Sequence, residues 1–206
     1  MNFSKITNLT LASALVFVAG PAGADNHEEW ALDAAHADVA FSVTHLAISE
    51  VTGKFKAVSG SMHFDEANIA ESSVEVTVDL SSVDTGQAKR DGHLQSADFF
   101  NVEKNPSMTF KSTKVKRAGK GKLKVTGDLT LHGVTKSVVL DVVGPSQATK
   151  NPFSGNTHRA FTATGTIDRR DFGLTWNKAL ESGGVVVGHE VRIRISAEFV
   201  KPTGEA

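Results

Sequence analysis

Basic, acidic and imidazole groups crowd around Leu94 in one short run of this 206-residue chain, RDGHLQSADFFNVEKNPSMTF, at positions 90–110. There His93 stands between Asp91 and Asp98. An imidazole beside a carboxylate can serve as a general acid or base. The same groups can instead tie a helical segment to its neighbours by hydrogen bonds. No nucleophile elbow, phosphate loop or cofactor motif accompanies them, so no catalytic residue is assigned. His36, His45 and His132 follow no zinc-ligand spacing, and no metal ligand is assigned. A metal- or haem-dependent enzyme would need a histidine set assembled from distant strands. A guanidinium can grip a phosphate in bidentate fashion, which makes Arg90, Arg169 and Arg170 candidates for an anionic head group. Each also has a carboxylate close in sequence, from Asp91, Asp98, Asp168 and Asp171, that could neutralise it.

Strands must position these groups. Val39, Phe41, Val43 and His45 share one face of a strand over 38–45. A strand over 53–65 carries Ala57, Ser59, Gly60 and Ser61, small residues that allow a bend or a close approach. Over 73–80, Val74, Val76, Val78 and Leu80 alternate with Glu75, Thr77 and Asp79. The alternation then stops. Asp84 with Gln87 three residues on resembles a capping box and predicts a short helix over 86–95. Further strands are expected over 107–116, 122–131, 134–143, 160–169 and 190–201, with turns at Gly119-Lys120-Gly121, His132-Gly133 and Gly183-Gly184. About eight long strands with one short helix define an all-β fold. Long strands joined by hairpins favour a closed barrel, which at eight strands is just wide enough for a slender ligand.

Residues 1–24 read as a secretory signal peptide: Lys5, an apolar run over 9–18, Pro21, then Ala22-Gly23-Ala24 before the cleavage point. That run is short of the roughly 20 residues a membrane span needs. Residues 25–206 are then one domain. Lys and Arg number 22 against 23 Asp and Glu, a balance that argues for neither nucleic acid nor an anionic membrane surface as partner. With no Cys, there is no disulfide brace, which suits a bacterial periplasm. Twelve Phe and no Tyr supply aromatic bulk without hydroxyls that need buried partners. Phe41, Val43, Phe55, Val76, Val78, Phe99, Phe100, Phe110, Phe161 and Trp176 either fill a packed core or line a dry tube.

Several co-linear blocks carry a resemblance. Trp30-x-Leu32-Asp33-x-x-His36-x-x-Val39-x-Phe41-Ser42-Val43-x-His45-Leu46 opens the series, and Arg90-Asp91-x-His93-Leu94-x-Ser96-x-Asp98-Phe99-Phe100 with Pro106 and Phe110 is its centre. Gly127-x-Leu129-Thr130-Leu131-His132-Gly133-Val134-Thr135-Lys136, Arg170-x-Phe172-Gly173-Leu174-x-Trp176-Asn177 and Val187-Gly188-x-Glu190-Val191 follow. Together they resemble the YceI-like family. The resemblance implies an eight-stranded antiparallel, lipocalin-like barrel in the periplasm of a Gram-negative bacterium, with one short helix crossing one end. It implies a binding protein, not an enzyme, holding a polyisoprenoid or other long amphiphilic lipid in an interior tunnel, with no cofactor besides that lipid. Dimers occur in the family. A structural or stress-protective barrel with a filled interior is the remaining alternative. The double Arg169-Arg170 departs from the single Arg expected there. The run 90–110 is expected to cross one barrel end, turning Leu94, Phe99 and Phe100 inward and anchoring itself through Arg90, Asp91 and His93.

Overall fold

The computed structural model describes residues 28–181 and 183–201. The leader expected over 1–24 lies outside the described residues. Period-two alternation of apolar residues forces strands whose one face must be buried. The strands are β1 (Glu28–His45), β2 (Ser49–Phe55), β3 (Val58–Phe64), β4 (Ser73–Asp79), β5 (Val83–Asp84), β6 (Ser107–Arg117), β7 (Lys122–Leu131), β8 (Val134–Val143), β9 (Thr149–Lys150), β10 (Thr157–Asp168) and β11 (Val187–Lys201). Neighbouring strands of the sheet pair antiparallel, and β11 returns to pair with β1, from Ala31↔Val200 to His45↔Val187. The sheet is therefore a closed barrel. β2 and β3 follow one another along β1, while β4 and β5 follow one another along them, so the ring counts eight strands.

Closure satisfies the edges that an open sheet would leave unpaired. The ladder is uneven, however. β8 and β10 register only at Val143↔Thr162, Val142↔Ala163 and Asp141↔Thr164. Further along, Leu140 lies against Gly165, where a Cβ would stand 2.7 Å from its Cδ2.

Two interruptions were not legible as such. The strand expected over 53–65 is broken at Lys56 and Ala57, where Ala57 N–H bonds to the Ser82 hydroxyl and Lys56 N–H to the Ser82 carbonyl. Leu80, expected on β4, instead opens a 3₁₀ turn and is fully buried. The helix α1 (Ala88–Gln95) starts two residues later than expected. Its cap is Gln87, whose Oε1 accepts from Lys89 N–H at 2.6 Å and Arg90 N–H at 3.2 Å. Asp84 accepts from Gly86 N–H instead, at 2.8 Å.

Candidate ligand-binding site

The inward faces of the eight strands enclose an apolar cavity of about 270 Å³. It runs from Phe64, Phe161 and Phe199 at one end to Phe99 and Leu174 at the other. From Phe199 to Val187, both lining residues on β11, is twelve residues, which at about 3.3 Å per residue and a 35–45° tilt spans roughly 30 Å of axis. A small volume drawn over that length is slender, just under the usual 300–1,000 Å³ of ligand pockets. Apart from Ser72, Ser73, Thr109 and Arg169, every lining residue is apolar.

Phe41, Val43, Phe55, Val76, Val78, Phe99, Phe100, Phe110 and Phe161 all line this cavity. Two glycines make room for their rings. A Cβ on Gly53 would stand 2.5 Å from Phe41 Cζ, and one on Gly127 would stand 2.4 Å from Phe110 Cζ. Gly53 is the cross-strand partner of Phe41, so that ring lies flat across a strand that has no side chain there. Phe41, Phe55 and Phe100 continue as a tilted stack with centroids 5.7 and 5.9 Å apart.

Trp176 is the exception and corrects the sequence reading. It is not among the lining residues. Its ring lies over His93 at 4.8 Å and Phe99 at 5.3 Å, outside the tube. Residues 170–178 have no period that could have phased it. Trp176, His93 and Phe99 cap the helix end as a cluster, with His93 Nε2 also bonded to Asp98 at 2.8 Å. Phe99 and Phe100 are buried and Leu94 is half-buried against the cavity. The crossing is fastened by Thr85: its N–H donates to Asp91 at 2.9 Å, and Arg90 donates to its hydroxyl and its carbonyl at 2.7 Å each.

The three arginines have different fates. Arg90 is exposed and held by Thr85, with no carboxylate partner among the described residues. Arg170 is exposed and paired to Asp168, whose carboxyl it holds well below the usual carboxylate range. Arg169 is 3% exposed and lines the cavity. Its Nε donates to Gly188 O at 2.9 Å, its Nη2 to Val187 O at 3.2 Å, and its Nη1 to Leu174 O. Burial lowers its pKa, yet a guanidinium stays charged at neutral pH. It has no carboxylate partner among the described residues. Asp168, adjacent in sequence, is turned to Arg170 instead.

The histidines of the quoted blocks do not converge. His36 bonds Asp33, His93 bonds Asp98, and His132 Nδ1 meets Phe172 O at 3.2 Å. Two features were missed from sequence. Arg159 points inward, stacked 5.8 Å from Trp30 and 5.3 Å from Phe64 and paired to Glu66 at 2.8 Å. Its place two residues before Phe161, itself two before Ala163, was the available signal. The lining residues Leu32, Leu129, Ile167 and Ile195 were likewise in phase with residues that were named.

A closed eight-stranded antiparallel barrel around an apolar tube, with a helix across one end, is a lipocalin-like binding architecture. Residues 30–199 match the YceI-like domain, and the chain belongs to that family. A UPF0312 protein of Vibrio parahaemolyticus is 43% identical over 172 residues, covering 82% of this chain and 86% of that protein. The crystal structure of Burkholderia cenocepacia BcnA superposes with a TM-score of 0.71 at 26% identity, over 81% of this chain and 98% of that one. A polyisoprenoid binding domain from Saccharophagus degradans shares the fold, with a TM-score of 0.56 at 19% identity over 84% of this chain and 98% of that one.

Proposed function

We propose that this protein binds a long-chain isoprenoid or similar amphiphilic lipid inside its barrel and sequesters or carries it through the periplasm. The observation that carries this reading is the slender cavity, roughly 30 Å long and apolar along its walls. Burying a prenyl chain there gains about 0.8 kcal/mol per CH₂, part of which is lost to ordering the chain. Such a tube needs no designed contacts along the chain. Family membership and the polyisoprenoid binding domain that shares the fold support the same ligand class.

In this reading Phe41, Val43, Phe55, Val76, Val78, Phe99, Phe100, Phe110 and Phe161 contact the chain. The head group turns toward Arg169, which lines the cavity and uses three of its five N–H donors on carbonyls. Arg90 and Arg170 are already held elsewhere. The protein acts by binding, without catalysis or cofactor, after export by the leader over 1–24. Pairing as a homodimer is part of this proposal.

Native mass spectrometry of protein purified from its own host, followed by organic extraction, tests the reading. A co-purifying prenyl lipid of stoichiometric amount is expected. Recovery of no amphiphile across mild preparations overturns it, and recovery of fatty acids alone would replace the isoprenoid by an acyl chain.

A further inference from the structure

The outer wall of the barrel carries a second constellation. Between Leu32 and Ala37 the register of β1 slips against β11: Leu32 faces Phe199 and Ala37 faces Ala197. Residues 33–36 therefore bulge outward opposite Glu198 alone. On the other side Glu198 pairs with Ala160 of β10, and His158 pairs with Val200. Phe199 and Ala197 point inward, so Glu198 and His158 share the outer face, where the bulge brings Asp33. One donor atom from each of Asp33, His158 and Glu198 lies within 4.8 Å of the other two, the one such grouping among the described residues.

The cluster sets two carboxylates against two imidazoles. Glu198 pairs only with His158 Nδ1, at 3.2 Å, and Asp33 only with His36 Nδ1, at 2.8 Å. Neither carboxylate has a Lys or Arg partner among the described residues, so both oxygen donors face imidazoles alone. His158 and Asp33 have side chains only 17% and 20% exposed, which leaves them partly desolvated. The orientation is also set. Asp33 Oδ1 accepts from Ala35 N–H at 3.0 Å inside the bulge, while Oδ2 is held by His36.

We propose that Asp33, His158 and Glu198 form a divalent transition-metal site of the zinc class, with His36 as the partner that orients Asp33. One imidazole nitrogen and two carboxylate oxygens are zinc-type donors, with bonds of about 2.0–2.2 Å and a water completing a tetrahedron. Such bonds need donors about 3.4 Å apart, so the side chains close by roughly 1 Å. Glu198 is half-exposed and the Asp33 side chain sits on a bulge, which permits that movement. An outer partner such as His36 is what ligating groups usually carry. The sequence shows no such site because its residues come from three strands and the spacing of a metal motif never arises. A bound cation would pin β1 to β10 and β11 across the bulge, whose flanking residues Leu32 and Ala37 line the cavity.

Calorimetric titration of chelator-treated protein with zinc chloride tests the site. One zinc per chain is expected, with affinity falling at least tenfold in both His158→Ala and Glu198→Gln and by a smaller factor in His36→Ala. His189→Ala, at the far end of β11, should leave binding unchanged. Glu198→Gln keeps the side-chain shape and answers should His158→Ala fail to fold. Absence of saturable zinc binding in the native protein overturns the proposal. So does binding that keeps its affinity in both His158→Ala and Glu198→Gln.

Discussion

Both ends of the barrel hold an arginine against its apolar interior, and the two are neutralised in opposite ways. At the end where the chain termini of the barrel meet, Arg159 lies on the faces of Trp30 and Phe64 and reaches exposed Glu66. Its charge is spent on a carboxylate and two rings. At the helix end, Arg169 meets only the carbonyls of Leu174, Val187 and Gly188. Carbonyl dipoles orient a guanidinium without cancelling its charge. The difference teaches that the tube has a polarity: one end is neutral and closed by aromatic packing, and the other keeps a net cation under the α1 crossing.

The largest effect should come from Arg169→Met. It leaves three backbone carbonyls without donors, at about 1–3 kcal/mol each before relaxation, so a loss of about 3 kcal/mol in urea unfolding is expected. A loss under about 1 kcal/mol would erase the contrast between the ends. Next, Phe99→Ala removes the ring that lies between Trp176 and the cavity. In the lipid-binding reading it should speed the release of a fluorescent prenyl probe several-fold. An unchanged off-rate would move the helix end out of the site. Arg159→Met should cost about 1 kcal/mol, since a pair with the exposed Glu66 contributes about 0.2–1 kcal/mol and the methionine side chain still covers Trp30. It should leave probe affinity for an anionic head group unchanged, whereas Arg169→Met lowers it.

The smallest effect concerns Arg170, the exposed neighbour of Arg169. Its pairing depresses the Asp168 pKa. A carboxyl depressed on folding stabilises the fold above its ordinary pKa near 4, and that contribution is lost as pH falls through the folded value. Arg170→Met should therefore cost a small part of the stability at pH 7, a loss that fades as pH falls through the carboxylate range, and shift the acid-unfolding midpoint upward by a few tenths of a pH unit. Circular dichroism during acid titration reads this directly.

Much of this arrangement is legible in the sequence. Val74, Val76 and Val78 face inward because a strand of strict alternation has one buried face, and the same reasoning placed Phe41 and Val43. The break after Leu80 correctly marked the crossing, since neither period continued through it. What was illegible lacked a period or depended on chain-distant partners. Trp176 sits in an irregular stretch where no phase exists. Arg169 was read against its neighbouring carboxylates, but the 3₁₀ turn (Arg169–Phe172) separates it from Arg170 in space and hands Asp168 to the latter. The bulge at 33–36 lies ahead of the strand expected over 38–45, and no alternation in Asp33-Ala34-Ala35-His36 marks it as part of β1.

The seam between β8 and β10 has a consequence for how the ring comes apart. With three registered pairs there, against twelve between β10 and β11, fewer main-chain bonds resist separation at that line than around the rest of the ring. Beyond Thr164 the two strands meet through side chains, with Leu140 lying over Gly165 and Val138 and Ile167 packed in one apolar cluster, attractions without direction. Local opening free energies follow the ladder, so this line is where the wall is expected to part first, while the long ladder to β11 keeps β10 in place.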